Sequence, residues 1–365
     1  MRDPIRLVAA AVVSTAAFAA SAQAQTPVTA TYGNTTISVG GGAQLLSLPD
    51  IRYTFLVAPG GAAVRTQKNS DLDDYGGVVV GSVESLLGYW GSTPVTGVVS
   101  GFFANVEDTD RKHCTSGRLG CFAEDIVDHP GQGDSYGFNS FTTNTNRDVD
   151  YWGANGEFRF GKAPEPMPDS GGYLFRFAYW GIGGDVRGID QDNRIHVRGN
   201  GNVPIDYSET LDTTYAGAFL SIGGEYNILG YLGMGSNWGI RSMLSLKAGV
   251  YNADTDYNGH FQAPATPFRG ARNTRLGLSD DEVAFIGSAT FETRKQFGPR
   301  TSLSLVTDYE YYSFAPQMKY VNADGTNPGT VNVTHIADDD AFEVRTTLRL
   351  NIGLGSAQLY EPPLK

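Results

Sequence analysis

The chain has 365 residues, a formal net charge of −12 and 41% hydrophobic residues, with 46 Gly, 19 Tyr and 19 Phe against two Cys. The acidic balance argues against nucleic acid as a partner, because phosphate binding needs clustered Lys and Arg. No interior run reaches the roughly 20 apolar residues that a membrane-spanning helix needs. Abundant Gly and aromatic residues favour a β-barrel, in which only half of each strand meets lipid.

The N-terminus predicts a secretory signal peptide. Arg2 and Arg6 precede an apolar stretch over 7–20, and small residues mark a cleavage site after Ala24, so that Gln25 begins the mature chain. A membrane anchor is the alternative, which the short apolar run disfavours. The mature chain would enter an oxidising compartment. The predicted organisation is a signal peptide at 1–24 and one barrel domain at 25–365, with a short tail at 355–365.

Ten strand-like runs follow, and the last shows their pattern most clearly. In Ala341–Leu354, apolar residues such as Leu348 and Leu350 alternate with polar ones such as Arg345 and Arg349. A strand sends successive side chains to opposite faces, so this stretch makes one apolar and one charged surface. The ten runs lie at about 36–47, 75–87, 95–106, 148–161, 172–184, 211–228, 238–251, 282–297, 300–320 and 341–354.

The lengths of the connections decide between a membrane barrel and a soluble sandwich. Short turns alternate with long polar segments, and aromatic residues gather near the strand ends, as in spanning barrels. A soluble sandwich would have turns of similar length at both ends. The sequence therefore predicts an all-β, single antiparallel up-and-down transmembrane barrel of ten strands, with eight or twelve as alternatives. The long outer loops are predicted at 48–74, 107–147, 187–209, 252–278 and 321–340.

The whole mature chain resembles the porin-like outer-membrane barrels of proteobacteria. The resemblance rests on the signal peptide, the alternating strands and the Asp338-Asp339-Asp340 entry into the last strand. It implies integral location in a Gram-negative outer membrane, contact with membrane lipid and lipopolysaccharide, and insertion by the barrel assembly machinery. It also implies passive movement of small ions or solutes through a narrow channel, or a structural role.

The polar faces of the strands are expected to line the lumen. Both signs of charge occur there, which allows two interpretations: a lumen closed by ion pairs, or a narrow pore whose charges set ion selectivity. The predicted lumen-facing charges are Glu84, Glu157, Arg159, Arg176, Glu225, Arg241, Lys247, Glu292, Arg294, Asp308, Glu310, Glu343, Arg345 and Arg349.

The two cysteines lie in one predicted outer loop. Cys114 and Cys121 are expected to form a disulfide, given an oxidising compartment and a small closed loop. His113 and His129 flank them, so zinc is the alternative. The disulfide would consume both thiolates, and therefore no metal and no cofactor is predicted.

Two further classes of function stay open. Long acidic loops with aromatic residues would suit adhesion or surface recognition, because loops on a rigid scaffold often carry function. An enzyme at the barrel rim would need paired residues such as Asp and His, and His196, His260 and His335 all fall in outer loops. No pair has a distinctive spacing, so the chain is predicted not to be an enzyme.

Overall fold

The computed structural model describes fourteen strands and no helix long and apolar enough to cross a membrane. The described residues are 35–49, 52–57, 64–68, 73–115, 121–124, 135–138, 140–161, 175–199, 204–226, 240–265, 270–298, 300–319 and 335–354. The strands are β1 (Thr35–Ser47), β2 (Arg52–Val57), β3 (Val64–Lys68), β4 (Asp73–Trp90), β5 (Thr93–Thr115), β6 (Cys121–Glu124), β7 (Ser135–Phe138), β8 (Ser140–Gly161), β9 (Phe175–Gly199), β10 (Pro204–Tyr226), β11 (Ile240–Ala263), β12 (Arg272–Gly298), β13 (Thr301–Lys319) and β14 (His335–Leu354).

Ten of these strands close into one antiparallel barrel, which confirms the predicted fold class and strand number. The ring order is β1-β14-β13-β12-β11-β10-β9-β8-β5-β4, and β1 completes it by pairing with both β4 and β14. Closure leaves no edge strand within the barrel wall, and lipid could not satisfy the backbone groups of such an edge.

The predicted outer loops are the main error of the sequence-based model. Most of 107–147, 187–209 and 252–278 is strand, because β5, β8, β9, β10, β11 and β12 each run for 22 to 27 residues. A membrane crossing needs only about 9–11 residues of strand, so these strands continue well past it. The predicted outer loop at 48–74 contains β2, which joins β3, β6 and β7 in a separate four-stranded sheet.

Alternation within the strands separates an apolar outer face from a polar inner face. In β14, Leu348, Leu350 and Ile352 are 44–46% exposed, whereas Glu343 and Arg345 are 0% and 6% exposed. On the outer face of β8 and β9, Phe158, Trp180 and similar residues are exposed, up to a boundary where Asp150 and Asp190 take their place. An apolar belt bounded by charge is the surface that a barrel presents to lipid.

A bulge corrects one predicted side-chain direction. Tyr179 was placed on the same face as Phe175 and Phe177, but the register between β9 and β10 shifts at Gly223 and Gly224. An extra residue in one strand reverses the alternation beyond it. Phe175 and Phe177 therefore stay on the outside, at 48% and 56% exposed, while Tyr179 turns inward and is 7% exposed.

Inward-facing glycines make room for aromatic side chains that lie against the inner wall. A Cβ at Gly153 would stand 2.5 Å from the Phe102 ring, and a Cβ at Gly217 would stand 2.7 Å from the Tyr251 ring. A ring packed over a neighbouring glycine is a known way to stabilise that position in a sheet. Glycines at such inward-facing positions therefore allow aromatic side chains to fill the lumen.

Candidate functional site in the barrel lumen

Side chains from opposite walls meet halfway up the lumen. Tyr151 lies on β8 and Tyr312 on β13, and these strands are five positions apart in either direction around the ten-stranded ring. Their hydroxyl groups nevertheless hydrogen-bond to each other. Both side chains are 0% exposed. The two tyrosines therefore span the full diameter of the barrel.

A buried guanidinium joins the same contact. Arg187 on β9 donates from Nη1 to Glu310 Oε2 at 2.6 Å and to the Tyr312 hydroxyl at 2.7 Å. Its Nε donates to Asp185 Oδ2 at 3.1 Å. The Tyr151 hydroxyl donates to Glu310 Oε2 at 3.0 Å. Every charge here has a partner, as burial requires.

A second buried arginine extends this network along β14. Arg345 lies 3.4 Å from Asp308 and 3.4 Å from Glu343, and its guanidinium sits 3.9 Å from the centre of the Phe102 ring. Arg349 Nη2 pairs with Asp308 Oδ2 at 3.0 Å. We call the following residues the central layer: Tyr151, Asp185, Arg187, Asp308, Glu310, Tyr312, Glu343, Arg345 and Arg349.

Apolar side chains fill the space around the charged groups of the central layer. Tyr215 is 0% exposed, packs 5.5 Å from the Tyr312 ring and donates its hydroxyl to the Phe314 carbonyl at 3.1 Å. A contiguous buried cluster also includes Leu46, Val106, Val149, Ile189, Tyr251, Ala253, Ala284, Ile286 and Ala341. Among the described residues, packed side chains therefore occupy the lumen at this height.

The other predicted lumen charges lie on the inner face nearer the short turns. Arg159 pairs with Glu157 at 2.9 Å and approaches Glu84 at 3.9 Å, and Lys247 lies 3.7 Å from Glu157. Arg294 pairs with Glu292 at 2.8 Å. Arg176 is opposite Glu225 in the β9–β10 register, and Arg241 is opposite Arg294 in the β11–β12 register.

Four members of the central layer were not predicted to face the lumen: Tyr151, Asp185, Arg187 and Tyr312. The predicted aromatic groups at the strand ends include Tyr151 and Tyr312, Asp185 follows the predicted strand at 172–184, and Arg187 begins the predicted outer loop at 187–209. Tyr151 shares its alternation with Glu157, and Tyr312 shares its alternation with Glu310. This position in the alternation was the available sequence signal, and it would have placed both tyrosine side chains in the lumen.

Several expectations fall outside the described residues. The signal cleavage site at Ala24 and Gln25 is among them. Cys114 and Cys121 lie in β5 and β6, but their side chains are not described. Within the described ranges, no group of three His, Cys, Asp or Glu side chains is placed to hold a metal ion.

A row of outward-facing aspartates marks the upper limit of the apolar belt. Asp150, Asp190, Asp212 and Asp256 face one another in register on the neighbouring strands β8, β9, β10 and β11. Partial burial and then the nearby carboxylates raise the pKa of Asp212. Burial likewise raises the pKa of Asp190, with a smaller contribution from Asp150. Like charges directly opposite each other in a sheet destabilise it.

Asp212→Asn is therefore expected to stabilise the barrel at pH 7, by roughly 0.2–1 kcal/mol. A carboxyl group whose pKa is raised on folding costs stability above that pKa and nothing once both states are protonated. The gain should thus disappear below the unfolded pKa of Asp, about 3.9. The temperature at which heat-modifiable gel migration changes, recorded at pH 7 and at pH 3, measures this gain in stability. An equal gain at both pH values would contradict the electrostatic cause.

Comparison with known proteins finds other barrels at low similarity and leaves the activity open. No family model and no curated protein matches the chain. The outer-membrane protease OmpT from Escherichia coli is similar with a TM-score of 0.41 at 10% identity, over 88% of this chain and 97% of that one. The translocator domain of the autotransporter NalP from Neisseria meningitidis has a TM-score of 0.35 at 10% identity, over 88% and 89%. A FadL homologue from Pseudomonas aeruginosa has a TM-score of 0.24 at 6% identity, over 87% and 90%.

One expectation is corrected here. The chain was predicted not to be an enzyme, and that exclusion is wrong, because a protease is among the solved barrels that match. At these TM-scores the likeness transfers no activity and no residue role to this chain.

Proposed function

We propose that this chain is a bacterial outer-membrane barrel with a closed lumen that acts at the cell surface through the part of its wall beyond the apolar belt. The observation that carries the proposal is the hydrogen bond between Tyr151 and Tyr312 across the full diameter of the barrel. A diffusion pore needs a continuous column of water, and the central layer interrupts that column with packed, ion-paired side chains.

The dimensions of the apolar belt support the membrane placement. On β8, outward-facing Trp152 to Phe160 cover nine residues, within the roughly 9–11 residues of a tilted spanning strand. Trp90, Phe160 and Trp180 pack together at the end with the short turns, where an aromatic girdle belongs. By the same proposal, the barrel assembly machinery inserts the chain, and lipopolysaccharide surrounds its outer end.

The wall beyond the belt supports the recognition role. Above Asp190, the outer face of β9 is polar and charged, with Asp192, Arg194 and His196 in succession at alternating positions. Arg194 pairs with Asp192 at 2.9 Å, and His196 contacts Asp206 on β10 at 2.6 Å. A rigid scaffold that presents exposed polar groups is suited to binding at a surface.

A narrow pore that opens when the central layer moves is the second candidate. The charged pairs between that layer and the short turns favour it, because Glu157, Arg159 and Lys247 would line a polar path. This candidate predicts conductance under some condition, whereas the closed barrel predicts none while the layer is intact.

Solute uptake into liposomes tests closure of the lumen. Proteoliposomes of the wild type are expected to swell no faster than empty liposomes in an isotonic pentose solution. The double variant Tyr151→Ala, Tyr312→Ala removes the two side chains that span the lumen, so it should raise the swelling rate at least several-fold. Rapid swelling of the wild type would refute the closed lumen. Heat-modifiable gel migration of both proteins verifies that the barrels are folded.

Shortening the β9–β10 hairpin beyond Asp192 and Thr210 tests the surface role in whole cells that carry the protein. These two residues are opposite each other in register, so a short turn can join them. The truncated barrel should lose cell adhesion and stay as impermeable as the wild type. Unchanged adhesion would remove the recognition role and leave the closed barrel as a structural protein.

A further inference from the structure

Two buried carboxyl groups face each other in the central layer. Glu310 and Glu343 are opposite each other in the β13–β14 register, and the Arg345 guanidinium reaches both, at 4.0 Å and 3.4 Å. They are 7% and 0% exposed. An ionised carboxylate can only accept hydrogen bonds, so two facing carboxylates cannot bond unless one of them holds a proton.

The hydrogen-bond partners of Glu310 and Glu343 also indicate that one of the two carboxyl groups holds a proton. Glu310 accepts from Arg187 and from the Tyr151 hydroxyl, while the Tyr312 hydroxyl can give its single proton either to Glu310 or to Tyr151. Both oxygens of Glu343 are buried and find no conventional donor, although Arg345 Nη1 lies 3.4 Å from one of them. A buried polar atom left without a partner is costly. A proton on the pair would turn Glu343 into a donor to Glu310 and remove this deficit.

The charge balance of the layer requires one further positive charge. Its ion-paired cations are Arg187, Arg345 and Arg349, and its anions are Asp185, Asp308, Glu310 and Glu343, so three positive charges meet four negative ones. An uncompensated buried charge is strongly unfavourable. The neighbouring groups do not supply the balance, because Arg159 and Lys247 are matched by Glu84 and Glu157.

We infer that Glu310 and Glu343 share a single proton, and that this proton completes the layer that closes the lumen. The titratable and charged groups that face the pair from the surrounding strands are Tyr151, Asp185, Arg187, Lys247, Tyr251, Asp308, Tyr312, Arg345 and Arg349. Loss of the proton leaves one uncompensated negative charge, which loosens the layer; this consequence rests on the proposed closed lumen, whereas the proton itself does not.

Gln44 identifies the competing possibility, a small monovalent cation in place of the proton. It lies opposite Arg345 in the β1–β14 register, is 1% exposed, and neither its Oε1 nor its Nε2 has a hydrogen-bond partner. Its carbonyl oxygen and the free oxygens of Glu343 are ligand types that sodium accepts. The two possibilities add the same unit of charge, and an experiment must separate them.

The infrared carbonyl band of a protonated carboxylic acid provides the test, recorded at neutral pH on the folded protein in detergent. The wild type should show the band, and both Glu343→Gln and Glu310→Gln should lose it, because three cations then face three carboxylates. Asp192→Asn is the matched control: Asp192 pairs with Arg194 on the exposed outer face, away from the central layer, so the band should stay. A wild type without the band, or a band that survives both substitutions, would overturn the inference.

A second arm replaces sodium and potassium with tetraethylammonium, which is too large for the site. The band and the temperature of the heat-modifiable gel shift should not change. If the wild type instead becomes less heat-resistant without small cations, while Glu343→Gln does not, a metal ion holds the charge and the proton is excluded. Gel migration also verifies that each variant is folded. Neither readout depends on conductance, so failure of this inference is distinct from failure of the closed lumen.

Discussion

Arg187→Ala is expected to lower the free energy of unfolding by about 3–5 kcal/mol, the cost of leaving a buried partner charge uncompensated. Arg187 is 6% exposed and contacts Glu310, Asp185 and Tyr312, and its removal leaves two buried carboxylates without their main cation. Urea titration of the protein folded in lipid vesicles measures the change.

The matched control lies on the same strand. Arg194 also pairs with an aspartate two residues away, Asp192 at 2.9 Å, but its side chain is 62% exposed. Exposed ion pairs contribute about 0–1 kcal/mol, so Arg194→Ala should change stability little. Equal losses in the two variants would show that the central layer is no more important than a surface pair.

Gly217→Val is expected to destabilise the barrel by about 3 kcal/mol, at the upper end of overpacking costs. A Cβ at this position would overlap the Val250 carbonyl and stand 2.7 Å from the Tyr251 ring, which lies against the wall here. The added side chain must displace Tyr251 or the backbone of β11. A lower temperature of the heat-modifiable gel shift records the loss.

Gly81→Val tests whether the effect comes from the crowded inner face. Gly81 lies on the outer face of β4, and a Cβ there would meet nothing within 4 Å. This variant should be neutral within about 0.5 kcal/mol, as is usual for substitutions at open surface sites. A loss as large as that of Gly217→Val would show that crowding of the inner face is not the cause.

The alternation of apolar and polar residues predicted the spanning strands, and the lengths of the connections favoured a membrane barrel over a soluble sandwich. Ala341–Leu354 shows this directly: its predicted faces are the observed ones, with Leu348 and Leu350 outside and Glu343 and Arg345 inside. Beyond the belt the outer face meets water instead of lipid, so the contrast weakens and the same reasoning failed. There Asp192 faces outward and Asn193 inward, both polar, and the strand was mistaken for a loop.

The central layer was harder to predict for a different reason. Alternation shows which side chains enter the lumen, but the partners come from strands distant in sequence. Tyr151 and Tyr312 are 161 residues apart, and only closure of the ring brings them together. The bulge likewise has no sequence signal, because its extra residue, Ala178 on β9 opposite Gly223 and Gly224, stands in an otherwise regular alternation.

Single-channel recording of the wild-type protein in a planar bilayer tests the central claim most directly. With the barrel verified as folded by heat-modifiable migration, the account predicts a silent bilayer across the accessible voltage range, because Tyr151, Tyr312 and Arg187 close the lumen. Stable, reproducible conductance steps from the folded wild type would contradict it and would make the chain a pore.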